Sequence, residues 1–352
     1  MLSVVSLSFH SFLNGNFGFE SKMDSQFCNK FNAKKGESIV KDAYVIGNLN
    51  LDIVVGYFER WPEVGSNING NYFDCRYTGA AGNSALTMKQ LGFNTHVIST
   101  IGDDEVGKRF VDEFKRLGID LSKCKEVHDK TCISIGILSN EDRTFFTFLG
   151  SLNYFDDNFL KEKIENVRDA YVILCGFDVV PVLQNSEIIN IMKTLRANKN
   201  FILFDPGWPV NGWNEEKTEL ALKIATLSDI FSPNLKEALA ISRKYVLDDA
   251  LISLKSRSIH NCIVKLGEKG ASGFFQGKYV SANAFRVDTI KDTIGAGDMF
   301  NSALLKALSE NWEIERSLKF ATFYASSGIT KVGNERYMSF EEAYSTFEKI
   351  HC

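Results

Sequence analysis

An aspartate that follows two glycines at the start of an apolar-periodic segment has the chemistry for phosphoryl transfer, and residues 292–298 carry that pattern. The run Asp292-Thr293-Ile294-Gly295-Ala296-Gly297-Asp298 leads into Met299, Phe300, Ala303, Leu304 and Leu308, whose spacing predicts a helix. Small residues at Gly295, Ala296 and Gly297 let the backbone turn tightly into that helix with amide N–H groups directed outward. Those amides and the positive end of the helix form an anion hole for charge building on a transferring phosphoryl group. Asp298, at the helix start, is placed to take the proton of a hydroxyl as that oxygen attacks phosphorus. Taken alone, the string also reads as a glycine turn with Asp298 as a plain helix cap.

Such a turn needs a scaffold, and the chain supplies an α/β pattern. Apolar runs at Ala43–Ile46, Thr95–Thr100, Tyr171–Cys175, Phe201–Phe204, Asp229–Phe231 and Cys262–Lys265 alternate with segments of helical period. Val106, Phe110, Phe114 and Leu117 form one helical stripe; Ile188, Ile191, Met192 and Leu195 form another. Alternation of this kind predicts a mainly parallel central sheet with helices on both faces, and binding sites at the carboxyl ends of its strands. Two stretches, 53–77 and 131–148, read as strands joined by turns. In the second, Ile133, Ile135 and Ile137 share one side, a turn falls at Asn140-Glu141-Asp142, and Thr144-Phe145-Phe146 resumes the strand. These stretches predict a small β-sheet that leaves the main sheet and covers the site as a lid, keeping water out during transfer.

Over fourteen residues from Asp292 to Leu305 the sequence resembles the carboxy-terminal signature of the ribokinase-like carbohydrate kinases, the PfkB family. Further segments resemble that family in the same order, from about residue 43 to about residue 335. Gly47-Asn48-Leu49-Asn50-Leu51-Asp52 looks like its opening strand, and the resemblance implies that Asn50 and Asp52 bind acceptor hydroxyls. Asn-x-Asp after a strand is also ordinary turn chemistry. Thr78-Gly79-Ala80-Ala81-Gly82-Asn83-Ser84-Ala85 resembles its glycine-rich sugar segment, which implies Gly79 and Asn83 at the substrate; Thr78 stands where many members have glycine. Phe231 to Ala238 resembles the Asn-x-x-Glu motif, which implies Asn234 and Glu237 at ATP phosphates and at the waters around Mg²⁺. An N-cap Asn with an acid three residues on is the structural reading of the same pair. Lys265-Leu266-Gly267 and Gly270 resemble a strand-then-glycine turn at the nucleotide. Asp292 is a candidate for a monovalent-cation site, for K⁺, as in some relatives. Ile101 to Gly107 is also typical of the family and reads as a structural turn and helix start.

The resemblance implies an ATP- and Mg²⁺-dependent kinase that phosphorylates a hydroxyl of a sugar or sugar-like molecule. A nucleoside or a sugar phosphate is the alternative acceptor, although the acceptor segments are poor in the Arg and Lys that would grip a second phosphate. Two readings of other classes compete. A non-catalytic ligand-binding regulator on the same fold has no need to keep Asp298, Gly295, Gly297, Asn234 and Glu237 together. A nicotinamide-dependent oxidoreductase needs Gly-x-Gly-x-x-Gly after the strand at Gly47, and that motif is missing there.

A chain of 352 residues with 44% hydrophobic content fills a substantial core, and 40 basic against 44 acidic residues leave no electrostatic footprint for nucleic acid or an anionic membrane. Seven scattered cysteines without C-x-x-C spacing argue against zinc and against a disulfide framework. Residues 1–40, rich in Ser, Asn, Phe and Gly, read as a poorly ordered amino-terminal extension, with 41–352 as the kinase domain. The expected place is the cytoplasm; organellar import stays open, since the stretch Met1–Phe19 is Ser-rich and acid-poor yet lacks arginine. Pairing of two lids into a homodimer also stays open.

Overall fold

Runs of four buried apolar residues build the middle of the molecule. In the computed structural model, which describes residues 40–61, 63–139 and 143–351, β9 (Tyr171–Leu174) and β10 (Phe201–Phe204) are buried at every position. Strands covered on both faces read as continuous apolar runs, as these do. With β1 (Asp42–Ile46), β4 (Asn94–Ile98), β11 (Ile230–Phe231), β12 (Cys262–Lys265), β13 (Ala271–Phe275) and β14 (Lys278–Ala282) they form an eight-stranded sheet of order β14-β13-β12-β11-β10-β9-β1-β4. Pairing is parallel from β4 to β12 and antiparallel only across β12-β13-β14. The Thr95–Thr100 run is divided: β4 stops at Ile98, and β5 (Thr100–Gly102) pairs instead with β6 (Lys125–Val127). The amino-terminal segment 1–39 and the Asn140–Asp142 turn lie outside the described residues.

The helices that matter for the site are α1 (Gly79–Gln90), α2 (Glu105–Arg116), α3 (Asp157–Ile164), α4 (Ile188–Ala197), α5 (Glu215–Leu227), α6 (Leu235–Ser242), α7 (Leu247–Ser256), α8 (Ala296–Ser309) and α9 (Ile314–Gly328). The stripe in α4 buries Ile188, Ile191, Met192 and Leu195, as its spacing predicts. The family-typical segment at 101–107 differs from the expected turn and helix start in its first two residues, since Ile101 and Gly102 close β5; from Asp103 on it bends into α2, which the Asp104 carboxylate caps by accepting from the Gly107 amide at 3.0 Å.

The two turn-rich stretches form one four-stranded sheet of order β3-β2-β7-β8, from β2 (Asn50–Phe58), β3 (Tyr72–Thr78), β7 (Ile133–Ser139) and β8 (Arg143–Phe148). Its inner pair β2-β7 is parallel and its outer pairs are antiparallel. Alternation separates its faces. Asp52, Arg76 and Ser134 lie side by side on one face, and Arg76 reaches from it to Asp292. The other face carries Ile53, Ile135, Phe73, Phe146 and Phe148, and among these Phe73 is 70% and Phe146 54% exposed. Apolar alternation ordinarily marks a core-facing side; here it marks the exposed one.

Among the described residues, no helix is long and apolar enough to cross a membrane.

Candidate active site

The carboxyl ends of consecutive parallel strands place polar residues along one edge of the large sheet, where open α/β sheets bind ligands. Asp178 follows β9, Asp205 follows β10, Asn234 and Glu237 follow β11, and Lys265 closes β12. The Lys265 ammonium forms an ion pair with Asp205, and the Asp205 Oδ2 also accepts from Asn301 Nδ2 at 2.5 Å. Asn301 Oδ1 accepts in turn from Ser232 Oγ at 2.6 Å. The Asn234 side chain accepts from the Glu237 amide at 2.9 Å, and Glu237 Oε2 accepts from the Asn234 amide at 2.8 Å, a complete capping box.

Asp298 enters this edge from α8. Gly295, at φ 77°, is the helix N-cap, and a Cβ there would lie 2.8 Å from Asn83 Cγ, so only glycine fits both the backbone and the contact. The Ala296 amide turns back to the Thr293 carbonyl at 3.3 Å, and the Met299 amide bonds the Gly295 carbonyl at 2.9 Å. Helix geometry gives the Gly297 and Asp298 amides no acceptor four residues earlier within α8. Of the amides expected to form an anion hole, that of Ala296 is thus already used within the turn. A Cβ built on Gly297 would stand 3.5 Å from Lys265 Nζ, so this ammonium flanks the bend.

These carboxylates disfavour one another's charge. Part of Asp298 is accessible, yet burial of its carboxylate, with the neighbouring Asp205, pushes its pKa well above the usual range, against the pull of Lys265 and Asn83. Burial, then Asp205, pushes Glu237 up to about 8. Burial, with a smaller part from Asp205, brings Asp178 to about 7.

The segments expected at the acceptor form a second hydrogen-bond chain. Asn48 Nδ2 donates to Asn50 Oδ1 at 2.6 Å, and Asn50 Nδ2 donates to Asp52 Oδ1 at 2.7 Å. Asp52 Oδ2 accepts from Thr78 Oγ1 at 2.6 Å and from the Gly79 amide at 3.3 Å. Thr78, the departure from the family's glycine, thus supplies a hydroxyl to Asp52. One helical turn beyond Gly79, Asn83 Nδ2 donates to Asp298 Oδ2 at 3.2 Å while its Oδ1 accepts from Tyr337 Oη at 2.9 Å. Helix α1 therefore joins the Asp52 chain to Asp298.

Gly79 sits at φ 75°, and an added Cβ would lie 2.3 Å from Asn50 Oδ1 and 2.5 Å from the Asn48 carbonyl. Gly79→Ala is expected to lower the melting temperature, since a left-handed non-glycine residue alone costs about 1–2 kcal/mol before the clash. An unchanged melting temperature in differential scanning calorimetry would show that Asn48 and Asn50 yield freely.

Among the sequence-predicted residues, the structure gathers Asp298, Gly295, Gly297, Asn83, Lys265, Asn234 and Glu237 around one edge. Gly267 opens on free space beside it. At Gly270 an added Cβ would meet the Ala282 carbonyl at 2.1 Å, so only glycine fits this turn into β13. Asp292 is held by Arg76 and Arg336. Sequence reasoning missed Asp178, Asp205, Asn301, Tyr337, Arg76 and Arg336. Asp205 had a signal, a carboxylate directly after the apolar run Phe201–Phe204 and before Pro206-Gly207; Arg336 and Tyr337 had none.

A main sheet with this strand order and a small mixed sheet at its edge defines a ribokinase-like α/β fold. The structure of Arabidopsis thaliana ribokinase complexed with ribose and ATP superimposes with a TM-score of 0.72 at 21% identity, covering 88% of this chain and 99% of that one. In sequence, ribokinase from Haemophilus influenzae is 24% identical over 302 residues, 83% of this chain and 94% of the relative. The nucleoside kinase of Methanocaldococcus jannaschii is 23% identical over 274 residues, 77% of this chain and 84% of the relative. Residues 40–338 match the pfkB family carbohydrate kinases, and the chain belongs to that family. It is a phosphotransferase of the carbohydrate-kinase class.

Proposed function

We propose that this kinase transfers the γ-phosphoryl group of ATP to a hydroxyl of a free or modified sugar, with Asp298 as general base. The observation that carries the reading is the meeting of Asp298, the Gly297 bend and the Lys265 ammonium at the carboxyl ends of β9 to β12. Gly297 and Asp298 amides and Lys265 hold the developing negative charge, and Asp298 receives the acceptor's proton. Asn83 keeps the Asp298 carboxylate oriented, and Tyr337 keeps Asn83 oriented. Glu237 and Asn234 bond each other in the capping box, which leaves Glu237 suited to contact a metal through water rather than directly. Mg²⁺, when bound with the nucleotide, neutralises phosphate charge. The four-stranded sheet acts as the lid over the acceptor, with Asn50, Asp52 and Gly79 at its base.

A free sugar is favoured over a sugar phosphate because Arg76, the guanidinium beside Asp52, is already paired with Asp74 and Asp292. A coupled ADP-release assay over free sugars, sugar phosphates and nucleosides tests the reading. Acceptor-dependent ADP formation with a sugar phosphate alone overturns the acceptor class, and none with any acceptor overturns the activity.

A second copy of the chain is the proposed cover for the apolar lid face that presents Phe73, Phe146 and Phe148. Phe146→Glu is expected to convert a dimer to a monomer in sedimentation velocity. A wild-type chain that sediments as a monomer at tens of micromolar removes the proposal.

A further inference from the structure

The carboxylate expected to help hold a monovalent cation instead meets two guanidinium groups. Arg336, 1% exposed, lies in the short helical turn Gly333–Arg336 after α9. Its Nη1 donates to Asp292 Oδ2 at 2.8 Å, and its Nη2 donates to the main-chain carbonyls of Asp292, at 3.5 Å, and of Ile294. Arg76 Nη1 donates to the same Asp292 oxygen at 2.6 Å from the lid sheet. A carboxylate and two carbonyl oxygens converging on one centre are the ligand type that a hard cation takes. Here they converge on a group that carries a fixed positive charge and cannot leave. The remaining Asp292 oxygen accepts from the Ile294 amide at 2.8 Å, so the whole turn before Gly295 is tied to this centre.

We infer that Arg336 is a tethered cation in place of a free monovalent ion, that it positions the 292–297 bend, and that this protein needs no K⁺. The inference rests on the proposed role of that bend in holding the transferring phosphoryl group. Arg336 acts through the bend: its Nη1 and Nη2 donate to Asp292 and Ile294, while its buried Nε has no hydrogen-bond partner. Both Arg336 and Arg76 line a cavity of about 230 Å³ with Asp74, Thr78 and Tyr337. That cavity gives a small cation a route to the Asp292 oxygens once the Arg336 side chain is cut back.

The first measurement needs no catalysis. Thermal melts of the ligand-free wild-type chain are compared in KCl, NaCl and tetramethylammonium chloride at equal ionic strength, with identical melting temperatures expected. A stabilisation specific to K⁺ overturns the inference. The second uses Arg336→Ala with Arg336→Met as a volume control. Millimolar KCl or methylguanidinium is expected to raise the melting temperature of Arg336→Ala but not that of wild type. Where acceptor-dependent ADP formation is seen, wild-type kcat is expected to be flat across the three salts, and Arg336→Ala to lose ~10²-fold in kcat, the scale of a disrupted anion hole, with partial recovery in KCl or methylguanidinium. Wild-type kcat that rises tenfold with K⁺, or a folded Arg336→Ala with unchanged kcat, overturns it. If Arg336→Ala does not fold, the wild-type salt comparison alone decides. Absence of kinase activity with every acceptor would count against the proposed function and leave the melting comparison as the judge of this inference.

Discussion

Asp298→Asn is expected to keep its fold and its affinity for nucleotide while losing at least ~10²-fold in kcat, the low end of what general-base catalysis supplies. The substitution keeps the side-chain shape, so Asn83 retains a partner at its 3.2 Å contact and α8 retains its start. What disappears is the basic oxygen. The same change is expected to stabilise the ligand-free protein, because burial and Asp205 disfavour the ionised carboxylate. An acid whose folded pKa lies above its unfolded value of about 3.9 holds its proton more tightly when folded. Its stabilising contribution is full below that value and is lost as pH rises towards the folded pKa. Asparagine does not ionise, so the variant's advantage should grow with pH above about 4. Wild-type kcat/KM should in turn fall as pH drops through the raised pKa, since the base must be unprotonated. Melting curves at several pH values and a coupled assay check both halves. Full activity in the variant sinks the base assignment; a variant less stable than wild type throughout sinks the electrostatic account.

Lys265→Met is expected to cost both stability and turnover. Lys265 and Asp205 are each 13% exposed at the side chain, so removal of the ammonium strands a nearly buried carboxylate. Breaking one side of such a pair costs about 3–5 kcal/mol when burial is complete; with Asn301 still donating to Asp205, the lower end is expected. Lys265 also lowers the pKa of Asp298 and of Glu237, so its loss should move the acid limb of the pH–rate profile to higher pH. Loss of positive charge beside Gly297 adds a fall in kcat of ~10²-fold, comparable to removal of one donor at an oxyanion. Adding Asp205→Asn to Lys265→Met removes the stranded charge. The double variant should therefore recover most of the stability and little of the activity. Parallel recovery of both would mean that Lys265 acts only through the fold.

The strands were legible because burial on both faces leaves an unbroken apolar run: Phe201–Phe204 and Cys262–Lys265 appear with the predicted bounds. The division of the Thr95–Thr100 run was not, because β5 leaves the main sheet for β6, a long-range pairing choice that composition does not encode. Ile133, Ile135 and Ile137 do share one side, yet period-two alternation identifies a face and not its neighbour. Which side of the lid sheet turns to the body emerged only from Arg76 reaching Asp292.

By itself the sequence determined the α/β alternation and the turn chemistry: glycines where the backbone is left-handed or crowded, an acid on the first turn of a helix, and an Asn-x-x-Glu capping box. These are local properties, set by neighbours within a few residues. Tertiary structure alone decided the company each group keeps. Lys265 stands against Gly297 across 32 positions of sequence, Tyr337 orients Asn83 across 254, and Arg336 reaches Asp292 across 44. Charge and hydrogen bonding act through space over a few ångströms, so the pKa of Asp298 and the cation at Asp292 follow from the packing of distant segments rather than from the order of residues.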